Sequence, residues 1–284
     1  MLLGATVMLT FASHASAAVT PVAHGHGSWR ASCPSTHRAP DDPIVFPGEP
    51  GRAHMHDFFG NPTTDAFSTP RTLRAAAPSC TRAPDRSAYW VPTLYALDPL
   101  GVAEPRVVAP RRSTVYYLAG NRKPRTIRPF PRGLRVVAGD SHADAAQRAP
   151  RIVWYCSRVD APAQPLSPAP PSCGQAQELY ARVLFPECSN GDKDSSNHQS
   201  HMAYATRAEG RRFRVCPASH PIPVPLVRIT IEYPPQSTNA LALSSGGRYS
   251  LHADFFEAWR RAAVRRLIRK CIAADLDCGN RGSP

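Results

Sequence analysis

Prolines and glycines, 31 and 17 of them, are spread over nearly all of the 284 residues, and this spacing constrains what the chain can fold into. Proline removes a backbone donor and clashes with the preceding helical turn, so a chain interrupted this often favours short strands and ordered loops. The segments between the interruptions have strand character. "AYWVPTLYALD" (88–98), "RSTVYYLAG" (112–120) and "RGLRVVAGD" (132–140) are rich in β-branched and aromatic residues. "RIVWYCSR", "QELYARVLFPEC", "RFRVC" and "PLVRITIEY" continue the series towards residue 233. Short strands set off by proline or glycine, with no fixed repeat and no alternation with helices, predict a mainly β fold. We expect an irregular, loop-rich antiparallel domain resembling a β-sandwich.

One helix is expected near the C-terminus, in "DFFEAWRRAAVRRLIRKCI" (254–272). Phe255, Trp259, Ala263, Leu267 and Cys271 recur at four-residue steps, with arginines on the remaining faces. That is an amphipathic pattern, and Asp254 is placed to cap its first turn. The opening "MLLGATVMLTFASHASA" reads as a secretory signal over residues 1–17, followed by an N-terminal extension (18–40) and one β-rich domain (41–280). No other apolar run is long enough to span a membrane.

Eight cysteines, an even number with no C-x-x-C pair, fit disulfides in an exported chain better than structural zinc. Joining neighbours pairs Cys33 with Cys80, Cys156 with Cys173, Cys188 with Cys216 and Cys271 with Cys278. That is one choice among on the order of a hundred. The second pair would tie the ends of the proline-dense stretch "DAPAQPLSPAPPSCG" (160–174), expected to be a surface loop. The formal charge of +13 favours anionic partners, but only Lys123, Lys193 and Lys270 are lysines, and an arginine, alanine and proline bias also follows from a GC-rich coding sequence.

Histidine carries the chemistry near neutral pH, as proton carrier and as ligand of transition metals. The informative histidines lie in "HMHD" (54–57), "NHQSHMAY" (197–204), "CPASHP" (216–221) and "LHADFF" (251–256). On extended backbone, residues two apart share a face, so His54 with His56, and His252 with Asp254, could each hold one ion or one substrate group. With His201 or His198 added they form a mixed nitrogen and oxygen set for zinc or another divalent metal, or a metal-free acid–base cluster. Each also has an ordinary reading: His220 before Pro221 as a turn residue, Asp254 as a helix cap, and the run at 189–201 as a polar loop.

Taken in order, "DDPIVFPGEPGRAHMHDFFG", "LFPECSNGDKDSSNHQSHMAY", "CPASHPIPVPLVRITIEY" and "YSLHADFFEAW" resemble the domain of unknown function 1996 family of secreted proteins, from about Asp41 to Trp259. The resemblance implies roles for Asp42, His54, His56, Asn190, Gly191, His201, His220, His252 and Asp254. Two positions depart from the pattern: Ser189 where the family has tryptophan, and Ala258 where it has glycine. Family members are sometimes joined to carbohydrate-binding modules, which implies polysaccharide as the working environment. We therefore expect a secreted, monomeric enzyme acting on extracellular or cell-wall polysaccharide by lyase-like or metal-assisted chemistry. His54, His56, His201, His252 and Asp254 are the expected catalytic residues, and His54, His56, His252 and Asp254 the metal ligands. Asp57, Asn190 and Tyr204 are the expected substrate contacts. The expected partner is polysaccharide, with anionic chains favoured by the charge, and neither nucleic acid nor a membrane. The other reading is a non-catalytic wall-binding module braced by disulfides.

Overall fold

The computed structural model describes residues 26–158, 165–238 and 240–280, so the segment read as a signal lies outside the described residues. Chain order gives β1 (Ser28–Ala39), β2 (His56–Phe59), α1 (Pro70–Ala75), β3 (Ala88–Pro92), β4 (Leu94–Ala96), β5 (Arg106–Val108), β6 (Arg112–Leu118), β7 (Arg135–Gly139) and β8 (Ile152–Ser157). There follow β9 (Glu178–Leu184), β10 (Cys188–Ser189), β11 (Met202–Ala203), β12 (Ile222–Pro223), β13 (Leu226–Tyr233), β14 (Leu241–Leu243), β15 (His252–Phe256) and α2 (Arg261–Leu267). Nine strands form one antiparallel sheet in the order β7-β15-β3-β2-β1-β6-β13-β9-β8. Two three-stranded sheets, β11-β10-β12 and β14-β4-β5, flank it. The large sheet curls until β7, at one end, packs against β9 near the other. One hydrophobic core fills the curl, from Trp29 and Tyr117 across Ile229 and Trp154 to Phe255 and Trp259.

The strand β1 joins the two halves of the sheet. Its first part pairs with β6 from Ser28 to Pro34, its last part with β2, and a register shift between Ser35 and His37 bends it between them. From Ser28 onward, the segment expected as an extension over residues 18–40 forms this central strand. Trp29, Ala31 and Cys33 point inward with no exposure, a period-2 pattern hidden by Arg30 and Ser32 between them and by Pro34 after them. "RFRVC" forms no strand: it makes only isolated bridges, Arg122 to Arg214 and Thr206 to Val215. None of its five residues is buried, so it has no apolar face to pack against a sheet.

The C-terminal helix is present but shorter than expected. It begins at Arg261, with Arg260 as a cap that makes no side-chain hydrogen bond, and runs on through a wider turn at Ile268–Ile272. Val264, Leu267, Ile268 and Cys271 form its buried stripe. Residues 252–256 are strand instead, because pairing with both β3 and β7 buries both of their faces, and this removes Asp254 from any capping role. All four disulfides join the expected neighbours: Cys33–Cys80, Cys156–Cys173, Cys188–Cys216 and Cys271–Cys278. Among the described residues no helix is long and apolar enough to cross a membrane.

Within the core one acid stands among aromatics. Tyr89 and Tyr117 donate their hydroxyls to Asp85 Oδ2 at 2.7 and 2.9 Å, and the Trp259 indole donates to Tyr117 at 2.9 Å. Burial pushes the Asp85 carboxyl up to about 6, although these donors pull it back. The folded state therefore holds this proton where the unfolded chain has released it, and the contribution to stability present at low pH is lost as pH rises through about 6. Buried imidazoles elsewhere run the opposite way, so the test is a difference. Measured by denaturant unfolding, Asp85→Asn should gain on the parent by on the order of 1 kcal/mol between pH 5 and pH 8. A constant difference would show that Asp85 is ionised throughout.

Candidate metal centre

On the outer face of the β7-β15-β3-β2 half lies a second, smaller cluster: Ile44, Phe58, Leu73, Ala88, Trp90, Val137, Phe256 and Ala258. Strand register sets what borders it. Asp254 lies opposite Trp90 and Val137, and Trp90 opposite Phe58, so one row crosses the sheet with all side chains on one face. His56 lies opposite Pro92, and His252 two residues before Asp254 is level with the same position. His56 and His252 therefore flank β3 in the next row. His54, just before β2, folds over them, and its ring centroid lies 4.2 Å from His56 and 5.0 Å from His252.

Backbone carbonyls fix the tautomers. His56 donates from Nδ1 to Asp41 O at 3.0 Å, and His252 from Nδ1 to Ser250 O at 2.9 Å. Each Nε2 is then left with a lone pair directed at the cluster, the second-sphere arrangement that prepares imidazole for a metal. His54 Nε2 and His252 Nε2 are 3.2 Å apart. Two ligand nitrogens on one tetrahedral zinc would be separated by about 3.3 Å, given Zn–N bonds of ~2.0–2.1 Å. The ligand atoms of His54, His56 and His252 lie within 4.8 Å of one another, as do those of Asp42, His56 and Asp254. His56 is common to both sets, which therefore adjoin at its ring. Asp42 enters the centre from the loop before β2, oriented by accepting the amides of Ile44 and Val45 at 2.8 and 2.9 Å.

The electrostatics match a site built for a cation. Burial lowers the pKa of His54 and of His252 to about 4, and that of His56 well below the ordinary imidazole value, so all three are neutral ligands at pH 7. Burial raises the Asp42 carboxyl, and raises Asp254 further, with Asp42 itself as the second cause. His56 Nε2 and both Asp254 oxygens are buried without a hydrogen-bond partner among the described residues. His252 Nε2 is 3.9 Å from Asp254 Oδ2, too far for a hydrogen bond. Buried polar atoms are rarely left this way, and a bound cation would satisfy all three at once.

These residues span a match to the family model described as Domain of unknown function (DUF1996), which covers residues 42–259. The chain belongs to this family. No curated protein and no solved structure matches it. In this DUF1996 chain, Asp42 is the first matched residue and Asp254 lies close to the last, so the fold closes the two ends of the matched region onto one centre.

Other expected site residues of the DUF1996 chain lie elsewhere. His201 is buried but turns Nδ1 to Ser195 Oγ at 2.9 Å and stands outside both ligand groups. His198 bonds Asp194 at 2.8 Å, and its charged form would interact with Asp42 at the edge of the centre. His220 bonds Ser200 O at 2.9 Å, the turn role that was its alternative reading. Asp57 cannot share a face with His56, its neighbour on a strand. It is buried in an ion pair with Arg38 at 2.6 Å, away from the surface where a substrate would meet it. Asn190 closes a turn with Asp192. Tyr204 borders a cavity of about 230 Å³ beside Gly139, the residue paired with His252. Asp42 was carried only by the family pattern, in the D-P-I segment; nothing in its local chemistry distinguishes it from a turn aspartate.

Proposed function

We propose that the protein binds one divalent transition metal, with zinc as the best fit, through His54, His56, His252 and Asp254, assisted by Asp42, and uses it as a secreted enzyme on polysaccharide. The observation that carries this reading is the convergence of three imidazoles with two buried carboxylates, where both Asp254 oxygens and His56 Nε2 have no hydrogen-bond partner among the described residues. Three imidazoles with carboxylate suit zinc or a neighbouring metal better than calcium or magnesium, which take mainly oxygen. Such an ion supplies a Lewis acid. The chain's own residues do the rest. His56 and His252 are held rigid by backbone carbonyls, while the half-exposed His54 forms the accessible side of the centre. Four disulfides support the extracellular setting.

The depth of Asp254 and His56 favours a second reading, in which the ion only stabilises a non-catalytic module. One experiment separates them. Metal analysis of the purified protein should give about one divalent ion per chain, and His54→Ala should lower this several-fold. Activity across a panel of neutral and acidic polysaccharides should disappear on chelation, return on adding zinc, and be absent from His54→Ala. A bound ion with no activity on any polymer leaves the stabilising module. No bound ion, and no shift of the unfolding temperature on adding zinc, overturns both.

A further inference from the structure

We infer that the trough beside β7 is the channel for an acidic polysaccharide, whose carboxylates are held by Arg148, Arg151 and Arg214. The inference rests on the reading of the metal centre as the working end of an enzyme, and names the substrate class. Three cavities run together there. The first, about 230 Å³, starts at Val137, Ala138 and Gly139 and reaches Arg148, Arg151 and Tyr204. Those last three residues also line the second, about 320 Å³, which adds Arg214. Arg214 in turn lines the third, about 530 Å³, with Lys123 and Arg211. The cavities adjoin, with Arg148, Arg151 and Tyr204 between the first two and Arg214 between the second and third.

Its charge is one-sided. Arg148, Arg211, Arg214 and Lys123 are exposed. The acids that border it are Asp140 at the β7 end and Glu187, which is buried against Arg122 and Arg214. Guanidinium groups bind carboxylates through paired N–H donors, and a row of them along a groove fits a linear polymer with a charge on each repeat. The aromatic rings argue against nucleic acid. Tyr204 carries the Arg151 guanidinium 3.5 Å from its ring centroid, and Phe213 carries Arg212 at 5.2 Å, so neither offers the open platform on which bases stack.

One loop links trough and centre. Residues 140–150 follow Gly139, the strand partner of His252, and carry Arg148, which lines the trough. Gln147 anchors this loop to the carbonyls of Tyr249 and Leu251, immediately before His252, at 2.6 and 2.8 Å. A chain lying over the arginines would therefore reach the imidazole cluster across Gly139. A uronate carboxylate next to the cation would also make its neighbouring C–H more acidic.

The test is binding of oligogalacturonate to the mature chain by calorimetry, at two salt concentrations and with chelator present, so that the outcome is independent of the metal. Arg148→Ala/Arg151→Ala should weaken binding at least tenfold, whereas Arg265→Ala/Arg269→Ala on α2 and the turn that continues it, an equal loss of charge, should change it less than twofold. The same oligosaccharide with its carboxylates reduced to alcohols should not bind. If the double variant unfolds, the exposed Arg148→Glu alone should give the same loss. Equal binding of the reduced sugar, equal losses from both arginine pairs, or tighter binding of a single-stranded oligonucleotide would each overturn the channel. Failure here with a metal-loaded, active enzyme leaves the metal reading standing. Binding that persists in a protein unable to hold metal sinks only that reading.

Discussion

Asp254→Asn should be purified with less than a tenth of the parent's divalent metal, yet its metal-free form should unfold at a temperature equal to or above that of the metal-free parent. Most buried substitutions lower both quantities, so the opposed signs are diagnostic. Asp254 lies at the middle of β15 with no exposure, between Trp90 and Val137, and neither of its oxygens has a partner among the described residues. Leaving a buried polar group unsatisfied costs about 1–3 kcal/mol, and more for an ionised one. Desolvation, with Asp42 close by, raises its pKa well above the ordinary value, which is the fold's own measure of that cost. As far as the fold alone is concerned, a neutral side chain of the same shape is no worse. For a cation the Asp254 carboxylate is a strong ligand, and its loss removes both a bond and one of the two negative charges of the centre. A site occupied at a hundred times its dissociation constant stabilises the fold by about 2.7 kcal/mol. Adding zinc should therefore raise the unfolding temperature of the parent and leave Asp254→Asn unmoved. A variant that keeps its metal and is less stable without it would assign Asp254 to the packing of the sheet.

The sequence alone made much of this legible, and where it misled the reasons are physical. Period-2 runs with proline at their ends located β3, β6, β7, β8, β9 and β13, because these strands bury one face or both against a core. The H-x-D pattern assumes extended backbone, and β15 supplies it for His252 and Asp254; in the H-x-H pair only His56 lies on a strand, and His54 reaches the cluster from the residues before β2. Yet the same stretch was also read as helix from Asp254. Phe255, Phe256 and Trp259 are all buried, and when both faces of a strand are covered its apolar spacing is indistinguishable from a helical stripe. Asp57, an expected substrate contact, follows His56 on the strand, and strand geometry sends the two to opposite faces. His201 was grouped on its motif, but a histidine in a turn meets its local partners first, and Ser195 takes its Nδ1. Tertiary register, which brings residue 42 to residue 254, has no local signature at all.

Replacing Cys33 and Cys80 together by alanine should destabilise the protein by about 4 kcal/mol, against about 2 kcal/mol for Cys271 and Cys278. The chain-entropy account of disulfides yields both figures from loop length, since the first bridge spans 47 residues and the second 7. Position strengthens the contrast. Cys33 is buried in β1 opposite Ser113 of β6, at the part of the sheet where β1 alone connects the β2 side to the β6 side. The bridge pins residues 80–82 along β1, where Thr81 N donates to Ser32 O at 2.9 Å and Arg82 Nε to Arg30 O at 2.8 Å. Asp85 and the strand β3 follow directly, and β3 is the strand flanked by His56 and His252. Opening the bridge therefore loosens the frame on which the metal centre is assembled, whereas opening Cys271–Cys278 frees only a short segment after α2. Denaturant unfolding of the two alanine pairs, each with zinc and with chelator, measures this directly. The Cys33–Cys80 variant should also lose part of its zinc-dependent stabilisation, and the Cys271–Cys278 variant should keep all of it. Equal costs for the two pairs would show that native packing around each bridge, and not the entropy of the loop it closes, sets its contribution.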